Sequence, residues 1–193
     1  MVDVFVFILS CLYFFLPAYV ANMAPPLMRR TGLFRFLYKA VDGGGKFMGF
    51  PIFGDHKTWL GIISSLVAGT MIAGLQFWLY QFSFFEKVSF LNYEHINILF
   101  FGFMMSLGMV FGDLIFSFIK RRINLRPGAP FIPFDQTNYV LGACLILSPL
   151  WIFDKDFSNI DLGVWLTLLF LTLFLHIVIN RIGYELGLHK AKW

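Results

Sequence analysis

The sequence predicts an all-α integral membrane protein with five transmembrane helices, and three observations carry that prediction. Of 193 residues, 59% are hydrophobic and only 13% are charged, whereas soluble domains sit nearer half apolar and a quarter charged. Apolar runs close to 20 residues, roughly the length that spans a hydrocarbon core, recur five times. Basic residues gather in alternate loops, as they do in multi-pass proteins. Each span has to be helical, because backbone N–H and C=O groups in hydrocarbon find no water. The length suits one membrane-embedded domain over residues 1–193.

The first span is expected from about Val4 to Ala24. Asp3 and the lack of a basic residue ahead of it argue for a retained span, not a cleaved signal peptide. Pro17 in its interior predicts a kink whose freed carbonyls are met by neighbouring helices, and Pro25 with Pro26 is expected to stop the helix. The second span lies in the charge-free run Trp59 to Phe85. The third starts near Ile96 and reaches the Asp113 region, carrying Gly108 and Gly112 at a spacing suited to close helix packing. The fourth, the shortest, covers about Asn138 to Phe153, and the fifth about Leu162 to Asn180. Cys11, Cys144 and His176 lie inside apolar runs and read as packing or polar contacts.

The loops differ sharply in charge. Thirteen of the fifteen Lys and Arg residues fall in 25–58, 120–137 and the tail from Arg181 onward. Lys87 and Lys155 sit in the other two loops beside acids. The positive-inside rule therefore predicts a cytoplasmic C-terminus, an external N-terminus and a site facing the cytosol. The net charge of +4 reads as topology and contact with anionic headgroups, not as nucleic-acid binding.

Three stretches on the basic side hold more than topology needs. "PAYVANMAPPLMRR", residues 17–30, carries Asn22, either an interhelical hydrogen bond or a site residue. "DGGGKFMGFPIFGDHKTWLG", residues 42–61, carries three glycines, which suit a flexible turn better than a phosphate cradle, and then Asp55, Lys57 and Thr58 at a helix start. Capping would use Asp55 or Thr58 but has no need of Lys57. "GDLIFSFIKRRINLRPGAPFIPFDQTNY", residues 112–139, sets Asp113, Ser117 and Lys120 or Arg121 on one helical face. Its "RPGAP" turns the chain toward Asp135 and Gln136. Two aspartates near cations could hold Mg²⁺, which takes one or two carboxylates plus substrate phosphates. They could equally be salt bridges pinning a loop.

"PAYVANMAP", "GDHKTWLG", "GDLIFSFIKRR", "RPGAPFIPFDQ" and "HIVINRIGYELGLHKAKW", in this order, resemble the CDP-archaeol synthase family, relatives of CDP-diacylglycerol synthases. The resemblance covers nearly the whole chain. It implies cytidylyl transfer from CTP to a 2,3-bis-O-geranylgeranylglycerol 1-phosphate type lipid, with Mg²⁺, releasing pyrophosphate in phospholipid biosynthesis at the cell membrane. By carry-over, Asp113, Asp135 and Asn138 would ligate metal, and Lys120 would join the two aspartates in catalysis. Asn22, Asp55, Lys57, Thr58, Ser117, Arg121, Arg122 and Gln136 would bind substrate. Family members usually carry an acid at the position of Asn138, often a lysine at that of Phe116, and "GDGKTWRG" where His56 and Leu60 stand here. An isoprenoid or an acyl glycerol-phosphate lipid fits the apolar spans equally well, and a homodimer is left open. A non-catalytic nucleotide- or lipid-binding protein and a small transporter are the competing readings.

Overall fold

Long helices dominate the computed structural model, which describes residues 3–126 and 129–185. In chain order they are α1 (Val4–Thr31), α2 (Trp59–Leu79), the short α3 (Ser83–Lys87), α4 (Ile98–Arg122), α5 (Phe134–Phe153) and α6 (Leu162–Glu185). Among the described residues, α1, α2 and α4 are long and apolar enough to cross a membrane. The helices outrun the expected spans: α4 continues through Arg122, and α5 begins at Phe134 so that Asp135 lies in its first turn. The "RPGAP" turn, through Pro127 and Gly128, and the tail with His189, Lys190 and Lys192 lie outside the described residues.

The all-α expectation misses one small feature. Strands β1 (Lys46–Phe47) and β2 (Phe50–Pro51) pair antiparallel, with Phe47 opposite Phe50. Met48 and Gly49 between them have φ of 51° and 83°, the left-handed pair that a two-residue hairpin turn needs.

Pro25 and Pro26 do not stop α1, contrary to expectation. The helix runs on to Thr31 and ends at a left-handed Gly32, whose N–H donates to Arg29 O. A proline leaves the carbonyl four residues earlier without its donor, and the deficit is serious in hydrocarbon. Here α2 supplies the donors. Gln76 Nε2 donates to Tyr13 O at 2.5 Å, four residues before Pro17. Ser65 Oγ donates to Ala21 O at 2.8 Å, four residues before Pro25. Within α5, Ser148 Oγ donates to Leu145 O at 2.9 Å and serves Pro149 in the same way.

Small residues bring the helices together. A Cβ on Gly102 of α4 would lie 2.5 Å from Ala73 Cβ of α2. Between α4 and α5 the approach is backbone to backbone: a Cβ on Gly112 would meet Asn138 O at 2.1 Å, and one on Gly142 would meet Gly108 O at 2.2 Å. The glycine spacing at 108 and 112 is thus used for packing, as read from the sequence. Aromatic contacts fill the middle of the bundle, including Phe14 against Trp165 and Phe15 stacked on Tyr139.

Gln76→Leu leaves the Tyr13 carbonyl buried and unpaired, and should lower stability in detergent by about 1–3 kcal/mol. Adding Pro17→Ala returns a backbone donor and should recover most of the thermal midpoint. No recovery in the double variant would show that Gln76 acts through some other contact.

Candidate active site at the charged end of the bundle

The loop from α1 to α2 is fixed at both ends before any side chain reaches the site. Val41 N donates to Lys57 O at 2.8 Å, and Trp59 N donates to Lys39 O at 3.1 Å. Inside it the carboxylate of Asp42 accepts from Gly44 N, Phe53 N and Gly54 N at 2.9–3.1 Å. The three glycines therefore form a turn closed on Asp42 and do not make a phosphate cradle. Burial pulls the Asp42 carboxyl up, but the N–H groups of Phe53, Gly54 and Gly44 outweigh it and hold its pKa below the ordinary value.

At the end of this loop Thr58 caps α2, its Oγ1 accepting from Gly61 N at 3.2 Å. Asp55 makes no such cap, which leaves Lys57 aimed across the bundle. Its Nζ donates to both oxygens of Asp113 on α4, at 2.7 and 2.6 Å. A second pair lies beside it. Lys120 Nζ donates to Asp135 Oδ2 at 2.8 Å and Oδ1 at 3.0 Å, and to Ala129 O at 2.7 Å. Phe131 N also donates to Asp135 Oδ2, at 2.9 Å. Asp135 additionally sits where the dipole of α5 favours a negative charge.

Both pairs face one cleft of about 150 Å³ that Ser117, Arg121 and Asn138 also line. Through His56, Lys57 and Asp113 it joins a second cleft of about 230 Å³, lined by Asn22, Thr58 and Ser65. The predicted face of Asp113, Ser117, Lys120 and Arg121 is therefore a single surface. Arg121 Nη1 donates to Leu125 O at 2.5 Å, while its buried Nε has no partner among the described residues. Asn138 is 7% exposed and stands where α5 touches Gly112.

Three predicted residues stand apart. Arg122 turns to the hairpin, donating to the carbonyls of Phe47, Phe50 and Pro51. Its guanidinium lies 4.7 Å from the Phe118 ring centre and 5.3 Å from that of Phe47. Gln136 is buried, with Oε1 unpaired among the described residues, and does not line the cleft. Asp55 lines an adjoining basin with Arg29, Tyr38 and His56. Arg29 and Tyr38 escaped sequence reasoning, since Arg29 counted only as topological charge and Tyr38 carried no signal.

A family model described as CarS-like CDP-archaeol synthase matches residues 4–193. This chain belongs to the CDP-archaeol synthase family. The CDP-archaeol synthase of Thermococcus onnurineus is 31% identical over 187 residues, 96% of this chain and 97% of that one. That of Pyrococcus furiosus is 32% identical over 187 residues, covering 96% and 98%. The fold is similar to that of a solved intramembrane enzyme for archaeal membrane lipid biosynthesis, with TM-score 0.64 and 23% identity over 88% of this chain and 91% of that one. The protein is thus an integral membrane CDP-archaeol synthase family member. Phe116 has a structural use, because its ring stacks on Phe134 at 5.7 Å and braces the start of α5.

The lowered Asp42 pKa gives the 42–54 turn a stability contribution that is complete above the ordinary carboxylate range and lost as pH falls through the depressed value. Hydrogen-exchange protection factors across residues 42–54, corrected for the slower intrinsic exchange in acid, should therefore fall on acidification in the wild type, and Asp42→Asn should remove that transition. An unchanged acid transition in the variant would assign it to another group.

Proposed function

We propose that this protein transfers the cytidylyl group of CTP to an archaeal-type glycerol-phosphate lipid, giving a CDP-activated lipid and pyrophosphate. The observation that carries the reading is the meeting of Asp113 and Asp135, from consecutive helices, with Lys57, Lys120 and Arg121 around one cleft. Membership of the CDP-archaeol synthase family supports it.

The chemistry asks little proton transfer of the protein. An oxygen of the lipid phosphate, already anionic, attacks the α-phosphorus of CTP. The bond from that phosphorus to the oxygen bridging to the β-phosphate breaks, and the electron pair leaves with pyrophosphate. Catalysis then consists of positioning and of neutralising phosphate charge. Lys57, Lys120 and Arg121 supply cations for the triphosphate, and the unpaired Arg121 Nε is a donor for one of its oxygens. Ser117 and Thr58 offer hydroxyls, and Asn22 offers an amide in the joined cleft.

Asp113, Asp135 and the Asn138 carbonyl would hold Mg²⁺, an oxygen set of the kind that ion takes together with substrate phosphates and water. When bound, the ion would offset charge on the triphosphate. Each aspartate now carries an ammonium, Lys57 on Asp113 and Lys120 on Asp135, so both carboxylates already attract a cation.

In this reading α5 and α6 join α1, α2 and α4 as five spans of the cell membrane. The N-terminus lies outside, and the charged end meets CTP in the cytosol. The excess of basic residues in the loops at that end supports the orientation.

Detergent-purified protein with CTP and Mg²⁺ should release pyrophosphate when given 2,3-bis-O-geranylgeranylglycerol 1-phosphate or a close lipid phosphate, phosphatidic acid included in the panel. CTP binding without release from any lipid phosphate would sink the reading. Asp113→Asn should cut the rate by roughly a hundredfold or more, and a near-normal rate would remove Asp113 from the site. Asn138→Asp should preserve or raise the affinity for Mg²⁺, judged from the metal dependence of the rate, and a weakened affinity would contradict the assigned ligand set.

A further inference from the structure

Beyond the two aspartate clefts, the described surface holds a third basin and an apolar groove for which the nucleotide reading has no use. The basin contains Arg29, Tyr38 and Asp55, and it is continuous with the Asn22 cleft through Pro25, His56, Thr58 and Gly61. Arg29 lies in the last turn of α1, where the Tyr38 hydroxyl donates to its carbonyl at 3.1 Å. Its side chain has no ion pair among the described residues, although Asp55 lines the same basin. Leu60 lines both this basin and the apolar groove.

The groove offers about 360 Å³ between the end of α1, the turn at Phe34–Leu37 and the outer face of α2. Except for Ser64, every side chain lining it is apolar. From Leu60 to Met71 it follows α2 for about 16 Å, at ~1.5 Å per residue. A cation at the head of a long apolar trough, opening inward to a cluster of phosphate-binding groups, matches one ligand chemistry: a phosphomonoester on a hydrocarbon chain.

We infer that Arg29 receives the phosphate of the acceptor lipid and that the α1–α2 groove holds one of its hydrocarbon chains. His56, which lines both aspartate clefts and the basin, stands where the acceptor phosphate and the nucleotide meet. The inference rests on the cytidylyltransferase reading and assigns to it a lipid site on the α1–α2 side, away from α5 and α6. Neither Arg29 nor the groove residues belong to the motifs that carry the family resemblance, apart from Ala24 and Leu60.

The test is steady-state pyrophosphate release with two acceptors, 2,3-bis-O-geranylgeranylglycerol 1-phosphate and an ether analogue with butyl chains. Ala68→Phe fills the groove at mid-length. It should raise the KM for the geranylgeranyl lipid by roughly tenfold, the equivalent of about two methylene groups leaving the groove. The butyl analogue should lose far less, and the KM for CTP should hold. Met71→Trp lies at the lipid-exposed far end, where folding is least at risk, and should shift preference toward shorter chains. Arg29→Gln should raise the KM for both acceptors and leave that for CTP.

An unaltered chain-length preference in both groove variants would overturn the tail assignment. A raised KM for CTP alone in Arg29→Gln would give the arginine to the nucleotide and overturn the phosphate assignment. Wild-type protein that turns over neither acceptor would overturn the underlying reading and this inference together.

Discussion

The site depends on how closely α4 and α5 approach each other. Gly112 leaves no space between its own backbone and the carbonyl of Asn138, and Gly108 meets Gly142 one turn farther along. Asp113 follows the first of these contacts directly, and Asp135 lies three residues before Asn138. The contact that fixes the helix spacing therefore fixes the two carboxylates against the same cleft. A methyl group at either glycine would have to move one whole helix, and phosphate chemistry responds to misplacements of about 1 Å with losses near a hundredfold. Packing and the geometry of the candidate site are here set by the same atoms.

The hydrocarbon surroundings explain much of the remaining polar placement. A proline in a span frees a carbonyl that water cannot reach, and α2 carries the donors that α1 lacks, Gln76 for Tyr13 and Ser65 for Ala21. These bonds tie α1 to α2 along the length that ends at the Asn22 cleft. The Ser65 bond also meets the carbonyl freed by Pro25, and α1 runs on past both prolines, so that Arg29 is presented from a helical turn and not from a loop.

How far the sequence could be read follows from the range of each interaction. Span centres were legible because apolar composition is local, and the face of Asp113, Ser117 and Lys120 was legible because helical periodicity is local. The end of α1 was not, since the hydroxyl that permits its continuation lies 44 residues away at Ser65. The pairing of Lys57 with Asp113 was hidden for the same reason. Arg121 and Arg122 are alike in sequence, yet about 100° of helical rotation sends one to the cleft and the other to the hairpin carbonyls and the Phe118 ring. The hairpin itself was masked because Met48 occupies a left-handed position where Asn or Gly is the usual signal.

The lysine–aspartate pairs have one more consequence. With an ammonium resting on each carboxylate, both acids of the cleft are compensated beside a low-dielectric medium, and Arg121 adds a further cation to it. In the proposed reaction, anionic cargo that drew the lysines away would unmask the acids for a cation, and its departure would let each lysine fall back onto its own acid. The protein would thereby return to its starting arrangement without a stranded carboxylate, so the groups proposed to grip the phosphates would also reset the site for the next cycle.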